Sequence, residues 1–273
     1  MDIKNLGKGA LIKPVSLKDY RFEVVPSAIM LPSNFEIIFG GKIKHQDGSS
    51  SCVSQATSYY AEVLNFKETG VWTELSPKFL YAQCFQPQGG SYVKDNMALM
   101  CGDGIAAEID LSSYDNGNPP SEQFMERKTD ITPQCYSSAM VYLAKSYYTW
   151  DNISVDLYKK AIVQGNGCVV CSWGNNYCWA NGQILLPDTK SQMEWMHGIY
   201  LCGFNDETKQ FKFINSWGTE WGNGGYGYLP YDYITQGYVS NPVTLIDQSN
   251  NYYGLLQKLI SLYKNLISLL LQK

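Results

Sequence analysis

Phe213-Ile214-Asn215-Ser216-Trp217-Gly218-Thr219-Glu220-Trp221-Gly222-Asn223-Gly224-Gly225-Tyr226-Gly227 carries the densest structural signal in this chain. A short apolar run stops at Asn and dissolves into Trp and Gly, the composition of a strand that ends in tight turns. Upstream, Asn205-Asp206-Glu207-Thr208-Lys209-Gln210 is polar and predicts a hairpin turn, with Asp206 and Glu207 as solvated carboxylates. Before that turn, Met196-His197-Gly198-Ile199-Tyr200-Leu201-Cys202-Gly203-Phe204 predicts a second strand that starts at His197. A hairpin across 205–210 therefore brings His197 and Asn215 together, although 18 residues separate them.

Outward from this hairpin, a third strand is expected around 167–173, after a helix over Val155–Gln164. The N-terminal half has a different period. Val53, Ala56, Tyr60, Val63 and Leu64 follow helical spacing from Cys52 until Gly70, and Ser49, Ser50 and Ser51 are candidate caps. Ser76-Pro77 opens a second helix, with Ser as cap and Pro in the first turn. Ser91–Met100 predicts a third, ended by Gly102, and residues 110–135 are expected to be loops. A helical half followed by a β-rich half is the α+β arrangement, and no internal repeat is present.

Composition removes several functions. The chain has 273 residues, 45% hydrophobic and 17% charged, which is a globular balance. Its net charge is −4, and Arg21 and Arg127 are its only arginines, so a nucleic-acid partner is not expected. No apolar run is long enough for a bilayer, and the first ten residues lack the apolar core of a signal peptide. The expected location is cytoplasmic or virion-associated before any secretion. Asn152-Ile153-Ser154 is then a chance sequon. With only His45 and His197 as histidines, a Cys/His metal site is hard to build, and no metal or cofactor is expected. Cys168 and Cys171 form a C-x-x-C on an apparent strand, where residues three apart face opposite ways. Of the eight cysteines, seven (Cys84, Cys101, Cys135, Cys168, Cys171, Cys178 and Cys202) are expected to be free structural thiols.

The eighth is Cys52. It stands where a helix begins, and a helix N-terminus favours a thiolate, as does a neighbouring imidazolium. His197 supplies the imidazole, Asn215 a group to orient it, and Gln46 a side-chain amide that can join the Cys52 N–H as an oxyanion donor.

These segments resemble the papain family of cysteine peptidases. The Gln46-to-Cys52 spacing of six, the gap of 145 residues from Cys52 to His197, and the Asn215-Ser216-Trp217-Gly218 block all match it. Asp19-Tyr20-Arg21-Phe22 and Gly227-Tyr228-Leu229-Pro230 are most similar to its bacterial and viral branch, and the resemblance spans residues 19–240. It implies a two-lobed fold with a helical lobe (about 40–150), a β-barrel-like lobe (about 151–240) and the active site between them. It implies that Cys52 is the nucleophile, His197 the base, Asn215 its orienter and Gln46 the oxyanion donor. Gly89 and Gly90 are implied to line the substrate cleft, and Trp217 to shield the His–Asn hydrogen bond and contact substrate. Trp72, Trp150, Trp173 and Trp195 are expected to be packing or cleft wall, and His45 a loop histidine. The implied activity is peptide-bond hydrolysis on polypeptide substrates through an acyl-enzyme. The alternatives are a catalytically silent binding protein of the same fold and a related acyl-transfer enzyme.

The chain departs from the family at Ser49-Ser50-Ser51-Cys52-Val53, where the first cysteine of Cys-Gly-Ser-Cys-Trp, and the aromatic after the nucleophile, are missing. Met196 replaces the polar residue often found before the histidine. The family's long helical pro-segment does not fit in the 45 residues before Gln46. Residues 1–30 form an expected arm, broken by Pro14 and Pro26, before a peptidase domain over 31–245. Ile29-Met30-Leu31 is its candidate plug for a substrate pocket; simple packing on the second lobe is the competing expectation. From Asn241 a polar linker is expected to lead to an amphipathic helix within 246–273, with Leu256, Leu259, Ile260, Tyr263, Leu266, Ile267 and Leu270 on one face. That helix docks on its own domain, on a partner or on a membrane surface, the first two being favoured.

Overall fold

The computed structural model describes residues 2–16, 18–22, 30–189 and 192–245. The tail helix expected within 246–273 lies outside the described residues, as does Ile29. In chain order the elements are β1 (Ala10–Leu11), β2 (Asn34–Glu36), α1 (Cys52–Thr69), α2 (Pro77–Cys84), β3 (Ser91–Tyr92), α3 (Val93–Gly102), α4 (Glu122–Glu126), α5 (Pro133–Ala139), β4 (Tyr147–Thr149), α6 (Val155–Gly165), β5 (Cys168–Gly174), β6 (Trp195–Asn205), β7 (Gln210–Ile214), β8 (Tyr226–Pro230), α7 (Asp232–Thr235) and β9 (Val239–Leu245). This is an α+β fold in which helices from the first half face a sheet built mostly from the second.

The sheet runs β4-β9-β5-β6-β7-β8, with β2 also paired to β6, and all its pairings are antiparallel. β6 and β7 pair from Tyr200↔Ile214 to Asn205↔Gln210, so Asn215 leaves the ladder just where His197 continues it against Ser172 of β5. Near-continuous burial of β5 and β6 explains their Val, Ile, Leu and Cys content, since both faces are covered.

α1 lies between the helical layer and the sheet. Thirteen of its 18 residues are buried, so its sequence shows little amphipathic contrast. It ends at Gly70, whose φ of 72° is the left-handed conformation that glycine adopts without a Cβ penalty. Its first turn touches β6 closely: a Cβ on Gly198 would fall 2.9 Å from Val53 Cα. Glycine at 198 lets the strand carrying His197 reach the helix that starts at Cys52. Lys44, two residues before Gln46, is buried with its Nζ 2.7 Å from Glu62 Oε1 on α1. The Leu75 carbonyl accepts from Lys44 Nζ at 3.2 Å and the Leu75 amide donates to Glu62 Oε1 at 2.9 Å, while Glu62 Oε2 has no hydrogen-bond partner among the described residues. Such a buried ion pair holds because each charge has the other within contact, so removing one partner strands the second.

Several local expectations change. Residues 110–135 contain α4, a 3-10 turn at Lys128–Asp130 and the start of α5, because helices this short show too few turns for a period to register. Ser91 and Tyr92 form β3 instead of opening α3, since they pair with the arm. No serine side chain caps α1: Ser51 Oγ bonds Ser49 Oγ and Gln55 instead. Asn241 lies inside β9 and not in a linker; its side chain holds the arm at Lys13. Asp206 is no free turn carboxylate: Lys159 and the Tyr231 hydroxyl bond it and pull its pKa down. All eight cysteines are free, and all but Cys101 are buried.

Candidate active site

Cys52 sits at the first position of α1 and is fully buried. His197 comes from β6 and Asn215 from the end of β7, and both are fully buried. His197 Nε2 is 2.8 Å from Asn215 Oδ1, which leaves Nδ1 as the only ring nitrogen available to a thiol. Nδ1 is buried with no hydrogen-bond partner among the described residues. The Trp217 ring lies 4.5 Å from the imidazole, and Trp179 and Trp195 present edges to it at 6.0 and 6.3 Å. The His–Asn bond is therefore closed off from water on the Trp217 side, which strengthens it. Trp179 at the centre of this cage was not singled out in the sequence, because a buried indole leaves no spacing signature.

Tyr59 is a second residue without a sequence signal. From the middle of α1 its hydroxyl accepts the Lys44 N–H at 2.6 Å and donates to the Asn215 carbonyl at 3.1 Å. One phenol thus ties the Gln46 segment and the Asn215 segment to the helix of Cys52. The Gln46 backbone is fixed to Ser216 by a 2.9 Å hydrogen bond, and its side-chain oxygen accepts from the Ser216 hydroxyl. The Gln46 side-chain nitrogen donates to Ser49 O at 2.6 Å and keeps its second N–H for the occupant of the cleft.

The cleft is filled by the chain's own N-terminal arm. Gly7 O accepts from Gln46 Nε2 at 3.1 Å and from Trp217 Nε1 at 3.3 Å. Gly9 N–H points at Cys52 Sγ, 3.3 Å away. Gly9 O accepts from Ser91 N, and β1 then runs parallel to β3 with Ala10 opposite Ser91 and Leu11 opposite Tyr92. Gly90, at φ 78°, makes room: a Cβ there would sit 2.1 Å from Gly9 O. Gly89 is also at positive φ but touches less, its hypothetical Cβ being 3.4 Å from Ser50 Oγ. The residues expected to plug the cleft, Ile29-Met30-Leu31, do not do so where described: Met30 is 96% exposed. Glycines do it instead, because the passage beside the Ser49 and Ser50 carbonyls is too narrow for any side chain.

Burial under the arm dominates the ionisation of the pair. It pushes the Cys52 thiol up to about 11, against the pull of the Gly198, Gly9, Val53 and Cys52 N–H groups. It pushes the His197 imidazole down to about 3, and the bond to Asn215 only partly offsets this. With the arm in place desolvation disfavours both charged forms of the pair. Among the described residues no group of three His, Cys, Asp or Glu side chains is placed to hold a metal ion.

A thiol at a helix start, an imidazole and a carboxamide converging in a cleft between a helical layer and an antiparallel sheet define a cysteine-hydrolase architecture. A family model of papain family cysteine proteases matches residues 36–243, and the chain belongs to that family. Xylellain, a cysteine protease from Xylella fastidiosa, superposes with a TM-score of 0.76 at 20% identity, over 89% of this chain and 96% of that one. Digestive procathepsin L 3 of Tenebrio molitor gives 0.65 at 20% identity, over 88% and 76%. An uncharacterized peptidase C1-like protein of Acanthamoeba polyphaga mimivirus is 31% identical over 67 residues, 24% of this chain. That match spans 22% of the mimivirus protein's length.

Proposed function

We propose that this chain is a cysteine-type peptidase that cleaves polypeptides with Cys52 as nucleophile and His197 as general base and acid. The observation that carries the reading is the extended segment Gly7–Leu11 lying across Cys52, held by Gln46, Trp217 and the Ser91–Tyr92 strand. A cleft that seats one extended peptide backbone in this way can seat another.

In the reaction, the thiol proton moves to His197 Nδ1 as the thiolate attacks the substrate carbonyl carbon. Gln46 Nε2 and the Cys52 N–H stabilise the oxyanion. The C–N bond breaks, the imidazolium protonates the leaving amine, and a thioester remains. Water, deprotonated by His197, then releases the acid and restores the thiol. Asn215 keeps the imidazole in the tautomer and orientation that each step needs.

The arm occupies this machinery without being its substrate. Sγ meets an amide N–H of Gly9 and not a carbonyl carbon, and the arm carries no scissile bond to the nucleophile in that register. The arm-in state is the resting form, and activity belongs to molecules whose arm has left the cleft. Cys52→Ala is the test. It should abolish cleavage of a fluorogenic peptide library and the single-site labelling of the protein by an epoxide inhibitor, with the fold retained. Unchanged turnover in Cys52→Ala would refute the assignment.

A further inference from the structure

The loop Ser49–Ser51 presents Cys52, and a carboxylate from α4 holds it. Glu122 Oε2 accepts from the Ser50 N–H, and Glu122 Oε1 accepts from the Tyr81 hydroxyl. Tyr81 Oη in turn accepts from Gly90 N at 3.0 Å. One carboxylate therefore links the backbone just before the nucleophile to the glycine that receives an extended peptide. Both Ser50 and Gly90 touch the occupant of the cleft: a Cβ on Gly9 would fall 2.2 Å from Ser50 O, and a Cβ on Gly90 2.1 Å from Gly9 O.

Glu122 opens α4, whose other residues pack beside Tyr81, and the Glu126 carboxyl lies against it. α4 is five residues long and is capped by Ser121 Oγ, which accepts from Phe124 N at 3.2 Å. Phe124 and Met125 pack with Tyr81 and Phe85 in a small cluster separate from the main core. Lys78 Nζ stands 3.4 Å over the Phe124 ring and is paired with Asp130, while Arg127 covers the ring at 4.7 Å. Burial and the neighbouring carboxylate keep the Tyr81 hydroxyl protonated, so it remains a donor to Glu122.

Resting on the peptidase reading above, we infer that Glu122 is a positioning residue: through Ser50 it sets the nucleophile loop, and through Tyr81 it sets the substrate-pairing glycine. The two links predict different kinetic signatures. Losing the Ser50 link misplaces the Cys52 N–H and Sγ relative to the scissile carbonyl, and misplacement on the order of 1 Å costs about 100-fold in turnover. Losing the Tyr81 link loosens Gly90 and weakens ground-state binding by about one hydrogen bond, roughly fivefold in KM.

The experiment uses the full chain and measures kcat, KM and the iodoacetamide alkylation rate of Cys52, with thermal melting as a check on folding. Glu122→Met, close in volume but without an acceptor, should lower kcat by on the order of 100-fold while alkylation does not slow. Glu122→Gln, whose amide oxygen still accepts from Ser50 N, should restore most of kcat. Tyr81→Phe should raise KM with kcat little changed, and it carries the test if Glu122→Met does not fold. The assignment is overturned if Glu122→Met keeps wild-type kcat, if its kcat and alkylation rate fall together, or if Tyr81→Phe changes neither constant. A wild-type chain that alkylates but cleaves no peptide overturns the peptidase reading and this assignment with it; an active wild type with an indifferent Glu122 overturns this assignment alone.

Discussion

Gly9→Val should switch the resting protein on. A Cβ on Gly9 would lie 2.2 Å from Ser50 O and 2.5 Å from Ser50 Cβ, inside any allowed contact, and the nucleophile loop cannot retreat without moving Cys52. Gly9 is not among the glycines at positive φ, so valine is compatible with its backbone once the arm is out. The substitution therefore penalises only the docked state. Forcing methyl groups into a packed site costs about 1–3 kcal/mol, which raises the open-to-closed ratio about 5- to 150-fold. Rehydration of Cys52 and His197 adds to the effect, because both pKa values then relax toward each other and the thiolate–imidazolium pair becomes accessible. The assay compares kcat/KM on a short fluorogenic peptide, and the iodoacetamide alkylation rate at neutral pH, for wild type and Gly9→Val. Both should rise by a similar factor, up to the limit set by the arm-free enzyme. A folded Gly9→Val protein that is no faster than wild type in either assay refutes the idea that the arm controls the cleft.

Asn215→Ala should weaken hydrolysis without ending it, by about 1–3 kcal/mol in kcat/KM, since one orienting bond is lost while the proton-transfer groups remain; wild-type kinetics under chemistry-limited conditions would deny Asn215 its role. Lys44→Met should cost about 3–5 kcal/mol in urea unfolding, because it strands Glu62 in the core; a loss below 1 kcal/mol would show that the pair is dispensable. The arm should also loosen in acid. Asp19, whose carboxyl is pushed up by burial, is pulled further down by Lys94 Nζ at 2.8 Å and by the Ser16 N–H, so its net pKa lies below the ordinary value. A depressed carboxyl contributes stability that is complete above about pH 4 and is lost as pH falls through its folded value. Protection factors for hydrogen exchange at the Gly9 and Ala10 amides, corrected for the intrinsic pH dependence, should fall there in wild type and already at neutral pH in Asp19→Asn; equal protection in both would exclude a role for the Asp19–Lys94 pair in holding the arm.

Much of the site was legible because it rests on local chemistry. Cys52 stands where a helix must start, and His197 and Asn215 flank a polar hairpin, so their meeting follows from strand pairing over a short loop. The helices within 110–135 were not legible, since α4 offers only Phe124 and Met125 as buried anchors. Tyr59, Trp179 and Glu122 were invisible for another reason: each meets the site through a contact 18 or more residues away in sequence, and no spacing encodes that. The arm was expected to reach the cleft with apolar side chains, but Gly7 and Gly9 do so, because the channel admits backbone alone.

By itself, the sequence determined which groups could do chemistry and which elements carry them, because helix starts, hairpins and glycine turns are set by neighbours along the chain. The tertiary structure alone decided the state of that chemistry. Whether Cys52 and His197 are charged depends on water reaching them, and water is excluded by an arm some 40 residues upstream in sequence that lies on the thiol in space. Desolvation is a property of everything that surrounds a group, and only the folded chain specifies those surroundings.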